Sequence, residues 1–340
     1  MAITVGRSPC TEAEAIRRGF GGRDSARRRQ VLAETLRVFL TAKPPEHFHQ
    51  LARENHERWA SAADPSPDTV DVQVLAGEWG EVTLDLSRRF GRIFAVLNMA
   101  NAYVPGGAYI EGASAQEQNL CRRSDCHFYI RDEDYDRDTD RYRPQMTELI
   151  SGATGRVYLD TGHPRICIRG AKDSDQPNLC YRWLEEEELF SFYELRSAAQ
   201  DLRDGGLFNA AIALRQIAAQ FDTLGTRHAV LGAFGCDAFR NPAHDVAEIY
   251  PRDRAAPGRV HHQYRLCHPV NALSGIQRHS VPAGVCCVVG TRPAARGGLP
   301  SPVRAARLIE GLLHSIKKSS PVCLSRSAQP ATAEPHSQLA

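Results

Sequence analysis

The sequence predicts an α/β fold built on a mixed, mostly parallel central sheet. Three observations carry that prediction. Residues 93–97 form an unbroken apolar run, Ile-Phe-Ala-Val-Leu, between Gly91 and Asn98, which is the pattern of a strand buried on both faces. Residues 228–234, His-Ala-Val-Leu-Gly-Ala-Phe, repeat that pattern far along the chain. The alternating run 70–76 followed by a helical stretch at 81–90 and the strand at 93 makes a strand–helix–strand unit, and such units build parallel sheets.

Each buried strand runs into a glycine loop. After residues 93–97 come Met99, Ala100 and Asn101, then a Pro105-Gly106-Gly107 turn, then small residues ending in Gln116-Glu117-Gln118. Glycine lets backbone approach a ligand closely, and successive unpaired N–H groups in such a turn form an anion-holding concavity. Ligands of parallel sheets lie beyond the carboxyl ends of the strands. A buried strand, a glycine loop and a following carboxylate therefore outline a site for a phosphate-bearing ligand, and spacing alone leaves the ligand open.

The residues from Asn98 to Gln118 resemble the signature of the microbial type of poly(ADP-ribose) glycohydrolase, a macrodomain family, in which a buried strand and an asparagine precede GGG and then QEE. Gly106, Gly107 and Ala108 stand where GGG is expected, and Gln116, Glu117 and Gln118 where QEE is expected. A second stretch, Gly232-Ala233-Phe234-Gly235-Cys236-Asp237-Ala238-Phe239-Arg240-Asn241, is similar to the second ligand loop of the same family. Two matches in the right order, each after a strand, outweigh a lone Gly-Gly turn. The resemblance implies a macrodomain-like three-layer α/β/α fold, spans roughly residues 26–250, and departs from the family at Ala108 and at Gln118.

The composition sets further bounds. A net charge of +2 on 340 residues gives no global pull toward nucleic acid or membrane. The ten cysteines are scattered with no CxxC pair, no signal-like segment follows Met1, and no apolar run nears the ~20 residues a membrane helix needs. Reduced thiols in a monomeric intracellular protein, cytoplasmic or nuclear, are expected.

In chain order, residues 1–23 read as an irregular entry loop despite their Gly19-Phe20-Gly21-Gly22 cluster, since no strand precedes it. Val31, Leu32, Thr35, Leu36, Phe39 and Leu40 recur at helical spacing, and residues 47–61 suggest a second, peripheral helix. Pro65 and Pro67 mark the boundary between an N-terminal helical extension, 1–65, and the main domain, 66–317. Residues 119–129 read as helix then loop. Cys121, Cys126 and His127 lack a second ligand pair, so no metal is predicted. Residues 132–140 resemble half a calcium loop but lack the glycine and the final carboxylate, where Arg143 stands, and read as a solvated acidic loop with carboxylates available for a guanidinium. Short strands are expected at 157–159 and 166–168, a helical stretch around 198–202, and the clearest helix at 208–221, closed by Gly225. Residues 251–282 form an irregular insertion, 284–290 a last strand, 303–316 a closing helix and 318–340 a disordered tail.

By resemblance, the site is one for ADP-ribose, poly(ADP-ribose) or ADP-ribosylated protein, without a cofactor. Pyrophosphate would rest on Gly106, Gly107 and Ala108 and on the second loop, through Gly232, Ala233, Gly235, Cys236 and Asp237. Asn101 would hydrogen-bond the distal ribose, Phe239 would pack on it, and Gln116 would belong to the ligand shell. Glu117 and Gln118 would flank the anomeric carbon. Cleaving a glycosidic bond needs a group that both gives and takes a proton. Glutamine cannot do this. Two expectations follow: a glycohydrolase working through Glu117, with Glu111 and Asp237 behind it and an arginine linkage among the possible substrates, or an ADP-ribose reader that has lost catalysis.

Overall fold

A computed structural model describes residues 7–63, 71–73, 75, 77–225, 228–252 and 285–289. Its helices are α1 (Glu12–Arg17), α2 (Arg23–Thr41), α3 (His47–Ala62), α4 (Trp79–Phe90), α5 (Gln116–Arg123), α6 (Pro144–Ile150), α7 (Ala210–Leu224) and α8 (Ala243–Arg252). Its strands are β1 (Asp71–Gln73), β2 (Phe94–Met99), β3 (Tyr135–Asp136), β4 (Arg141–Tyr142), β5 (Tyr158–Cys167), β6 (Phe190–Ser197), β7 (Ala229–Gly232) and β8 (Val285–Val289).

Six strands make one sheet in the order β1-β8-β7-β2-β6-β5, and β3 and β4 form a separate hairpin. The sheet is mixed, as expected. Parallel pairing is confined to the centre, where β2 lies between β6 and β7, while β5, β8 and β1 pair antiparallel. Phe94, Ala95, Val96 and Leu97 are all buried; since successive side chains of a strand point to opposite sides, both faces of β2 are covered. Helix α4 packs on β2 and β7, and α7 packs on β5 and β6 with α8 against it. Gly91 closes α4 in the left-handed conformation, at φ +59°, where an added Cβ would lie 2.3 Å from Ala60 Cα of α3.

Several expectations are corrected. Residues 1–23 are not simply a loop: Thr11 caps α1 with a full capping box. Helix α3 is not peripheral. Its Trp59 joins the main core, Asn55 donates to the carbonyls of Glu186 and Leu189, and His56 Nε2 accepts from Ser191 N–H at 3.0 Å. The polar residues that made α3 read as a surface helix thus serve the backbone leading into and starting β6. The two strands expected at 157–159 and 166–168 are one strand, β5, interrupted by a bulge between Asp160 and Arg165.

The largest correction is β6, Phe190–Ser197, where no strand was expected. Glu194 and Arg196 disguise it. The Glu194 carboxylate accepts from Arg196 Nε at 2.7 Å, Arg165 Nε at 3.2 Å and Asn98 Nδ2 at 2.8 Å, all within the interior. Burial alone raises a carboxyl pKa, but Arg196 and Arg165 outweigh it and hold Glu194 down at about 2. Helix α7 runs Ala210–Leu224 with Asn209 as its cap, so Phe208 precedes it and Ala211 is exposed. The last strand is found as β8. The boundary at 65–67, most of the insertion (253–282), the helix expected at 303–316 and the tail 318–340 lie outside the described residues.

Candidate functional site

The end of β2 is held by the triplet that follows it in sequence. Helix α5 begins at Gln116, earlier than expected, so the three triplet residues occupy its first turn. Gln116 uses its whole side-chain amide on β2: Oε1 accepts from Met99 N–H at 3.0 Å and Nε2 donates to Leu97 O at 2.8 Å. Asn101 Oδ1 accepts from the N–H groups of Tyr103 and Val104, both at 2.9 Å, and so folds the loop into an Asx turn. Asn101 N–H donates to Glu117 Oε2 at 2.9 Å.

The first glycine turn needs its glycines. Gly106 and Gly107 sit at φ +69° and +54°, and Gly107 N–H closes the turn on Val104 O. A Cβ on Gly107 would meet Gln118 Nε2 at 2.4 Å, and one on Gly106 would meet the Tyr109 ring at 2.5 Å. Ala108 does not have a positive φ, so an alanine is accommodated there without strain.

Glu117 is 3% exposed. Burial pushes its carboxyl up to about 8, against the opposing pull of the Asn101 and Gly106 N–H groups and of Arg196. At neutral pH it is therefore mostly protonated and able to give a proton. Gln118 Nε2 donates to Gly106 O at 3.2 Å, while its buried Oε1 has no partner among the described residues.

Strand β7 lies beside β2 and parallel to it, so its loop leaves the same edge of the sheet. Gly235, at φ +73°, leaves no room for a Cβ against Ala199 and Asn241. Asn241 Nδ2 donates to Gly235 O and Gln200 O, fixing the loop just before α8. Phe239 is half-buried, with the Arg203 guanidinium 5.1 Å from its ring centre. Cys236 is half-buried, its thiol pushed up to about 12 by burial and by Asp237.

Both loops line one cavity of about 730 Å³. Of the residues singled out from sequence, Asn101, Gly107, Ala108, Gln116, Glu117, Gln118, Ala233, Gly235, Cys236, Asp237 and Phe239 face it. Gly106, within the turn, and Gly232, the last residue of β7, do not line the cavity. Glu111 faces it too, but its carboxylate is engaged by Arg18 and lies 3.8 Å from Arg7 Nη2. Asp237 is exposed at the rim.

Arg7, Arg18, Phe20 and Arg203 also line the cavity, and none of them was singled out as a site residue from sequence. Three of these come from the segment read as an entry loop: Phe20 lies in the Gly19–Gly22 cluster set aside there, and no periodicity or motif marks the arginines. The acidic stretch contributes only Asp140, which binds Arg7; Asp132 is paired with Arg137. Cys121 and Cys126 belong to the core, and His127 Nδ1 lies 2.8 Å from Tyr109 OH. Among the described residues no helix is long and apolar enough to cross a membrane.

Residues 34–150 match the model of the microbial-type PARG catalytic domain. No curated protein matches the chain in sequence. Among solved structures, poly(ADP-ribose) glycohydrolase from Thermomonospora curvata is 22% identical over 73% of this chain and 95% of its own, with a TM-score of 0.47. Poly(ADP-ribose) glycohydrolase from Deinococcus radiodurans, in complex with ADP-ribose, is 20% identical over 66% and 84%, with a TM-score of 0.36. Over residues 34–150, which hold β2, the first glycine loop and the Gln-Glu-Gln triplet, the chain is matched by the microbial-type PARG catalytic domain.

Proposed function

We propose that the chain is an ADP-ribosyl glycohydrolase that takes poly(ADP-ribose) or ADP-ribosylated protein into the cavity between its two glycine loops. The observation that carries this reading is the convergence of both loops on one cavity at the carboxyl ends of neighbouring parallel strands, with Glu117 in its lining. The match of residues 34–150 to a catalytic-domain family points the same way. The loops offer backbone N–H groups and the start of α8 to a pyrophosphate.

In this reading Glu117 is the acid. It delivers its proton to the leaving oxygen as the glycosidic C–O bond breaks. A water then adds to the anomeric carbon and returns a proton to the carboxylate. Its raised pKa suits the first half of that exchange. An arginine linkage remains among the substrates to test, although the acidic loop lends it little: Asp140 and Asp132 are already paired with Arg7 and Arg137.

Gln118 favours a second reading, an ADP-ribose-binding module without turnover, because an amide cannot exchange a proton at the third triplet position. Incubation with poly(ADP-ribose) and with arginine-ADP-ribosylated protein separates the two. Release of ADP-ribose that is lost in Glu117→Gln supports the enzyme; binding without release supports the reader.

A further inference from the structure

We infer that Arg7 is a positioning residue for the first glycine turn, setting its peptide planes so that their N–H groups serve the ligand and Glu117. The inference rests on the ADP-ribose reading above and adds to it a residue outside both loops.

Arg7 is nearly fully buried, yet it belongs to the N-terminal segment, far in sequence from what it touches. Its Nη1 donates to two carbonyls of the turn, those of Pro105 and Gly107. Its Nε and Nη2 donate to the two carboxylate oxygens of Asp140, each at 2.6 Å. Asp140 is itself fixed by Tyr135 OH at 2.6 Å. The guanidinium is thus a rigid bridge between the β3–β4 hairpin and the glycine turn, and its planar fork suits a bidentate carboxylate on one side and two carbonyls on the other.

In a trans peptide the C=O of one residue and the N–H of the next point in opposite directions. Holding Pro105 O therefore turns the Gly106 N–H away from Arg7, and this N–H acts on the Glu117 carboxyl. Holding Gly107 O likewise turns the Ala108 N–H away, and that group has no acceptor among the described residues. Ala108 lines the cavity, so its N–H is available to a ligand oxygen. The turn needs an external hold because its two glycines, kept small by Gln118 and Tyr109, have the backbone freedom to flip.

The test is ADP-ribose affinity by calorimetry for the parent, Arg7→Ala, Arg7→Ala with millimolar guanidinium ion, and Arg17→Met as a control on the exposed face of α1, with a thermal melt of each. We expect Arg7→Ala to remain folded and to bind about tenfold more weakly or worse, since two buried carbonyls lose their donor. Added guanidinium should restore part of the loss, and Arg17→Met should match the parent. Unchanged affinity in Arg7→Ala overturns the inference, and so does a loss that guanidinium leaves untouched. If Arg7→Ala does not fold, Asp140→Asn decides: weaker binding supports the inference and parental affinity refutes it. A parent that does not bind ADP-ribose refutes the functional reading and this inference with it, whereas the other negative outcomes refute the inference alone.

Discussion

The Asn101 backbone N–H donates to Glu117 Oε2 at 2.9 Å, joining the end of β2 to the first turn of α5 across fifteen intervening residues that include the turn at Gly106 and Gly107. This single bond ties the strand, the glycine turn and the buried carboxyl into one unit. Burial raises the Glu117 pKa and this bond opposes the rise only in part, so the group stays near 8.

Glu117 should make stability fall with rising pH. Its folded pKa of about 8 exceeds its ordinary 4.5, so the native state holds the proton longer than the unfolded chain. The penalty is absent below about pH 4.5, grows between the two values and is complete above about 8, on the order of a few kcal/mol. Glu117→Gln removes the ionisation while keeping an acceptor for Asn101. Its melting temperature should exceed that of the parent at pH 9, with the gap closing at pH 5. If the enzyme reading holds, parental activity should decline through the same alkaline range.

Replacing Gln118 by glutamate should restore the missing acid/base group. Hydrolysis of poly(ADP-ribose) should rise by about 10²–10⁴-fold, the usual worth of such a group. The melting temperature should drop, because the Gln118 amide that donates to Gly106 O is lost beside an already buried carboxyl. A turnover assay and a melt on the same sample check both halves.

Gly107→Ala should damage the site more than its single methyl suggests. The position has φ +54°, and the new Cβ would sit 2.4 Å from Gln118 Nε2. ADP-ribose affinity should fall by at least about tenfold, from strain of roughly 1–3 kcal/mol at such a backbone position. Ala108→Gly, one residue on, should be close to neutral, since Ala108 has no positive φ.

Glu194→Gln should test the buried network behind the site. It leaves the Arg165 and Arg196 guanidiniums without their shared carboxylate, and removing one partner of a buried charge cluster costs about 3–5 kcal/mol. Because Glu194 titrates near 2 when folded, its contribution is fully present above about pH 4.5 and is lost as pH falls through 2. Urea unfolding at pH 7 and at pH 3 should show a smaller gap between variant and parent at the lower pH.

How much of this was legible in the sequence follows from how each residue earns its place. Strands β2 and β7 are apolar runs, each followed by a glycine loop, so the two loops and their shared sheet edge could be read directly. Strand β6 could not, because the charges on Glu194 and Arg196 that hide its strand character are paired with one another and with Arg165, a buried group that only the fold assembles. The same holds for α3, whose Asn55 and His56 look solvated until the backbone they serve is placed beside them. Arg7 and Arg18 enter the site through contacts with residues far away in sequence, which leave no periodicity or spacing to find.

The most direct test of the account is calorimetric titration with ADP-ribose of the parent and of two variants, one in each loop: Gly107→Ala and Phe239→Ala. If the two loops form one site, the parent binds and each variant alone weakens binding while the fold, followed by circular dichroism, is kept. A parent that gives no binding heat, or a loss confined to one loop with the other variant binding as the parent does, would contradict it.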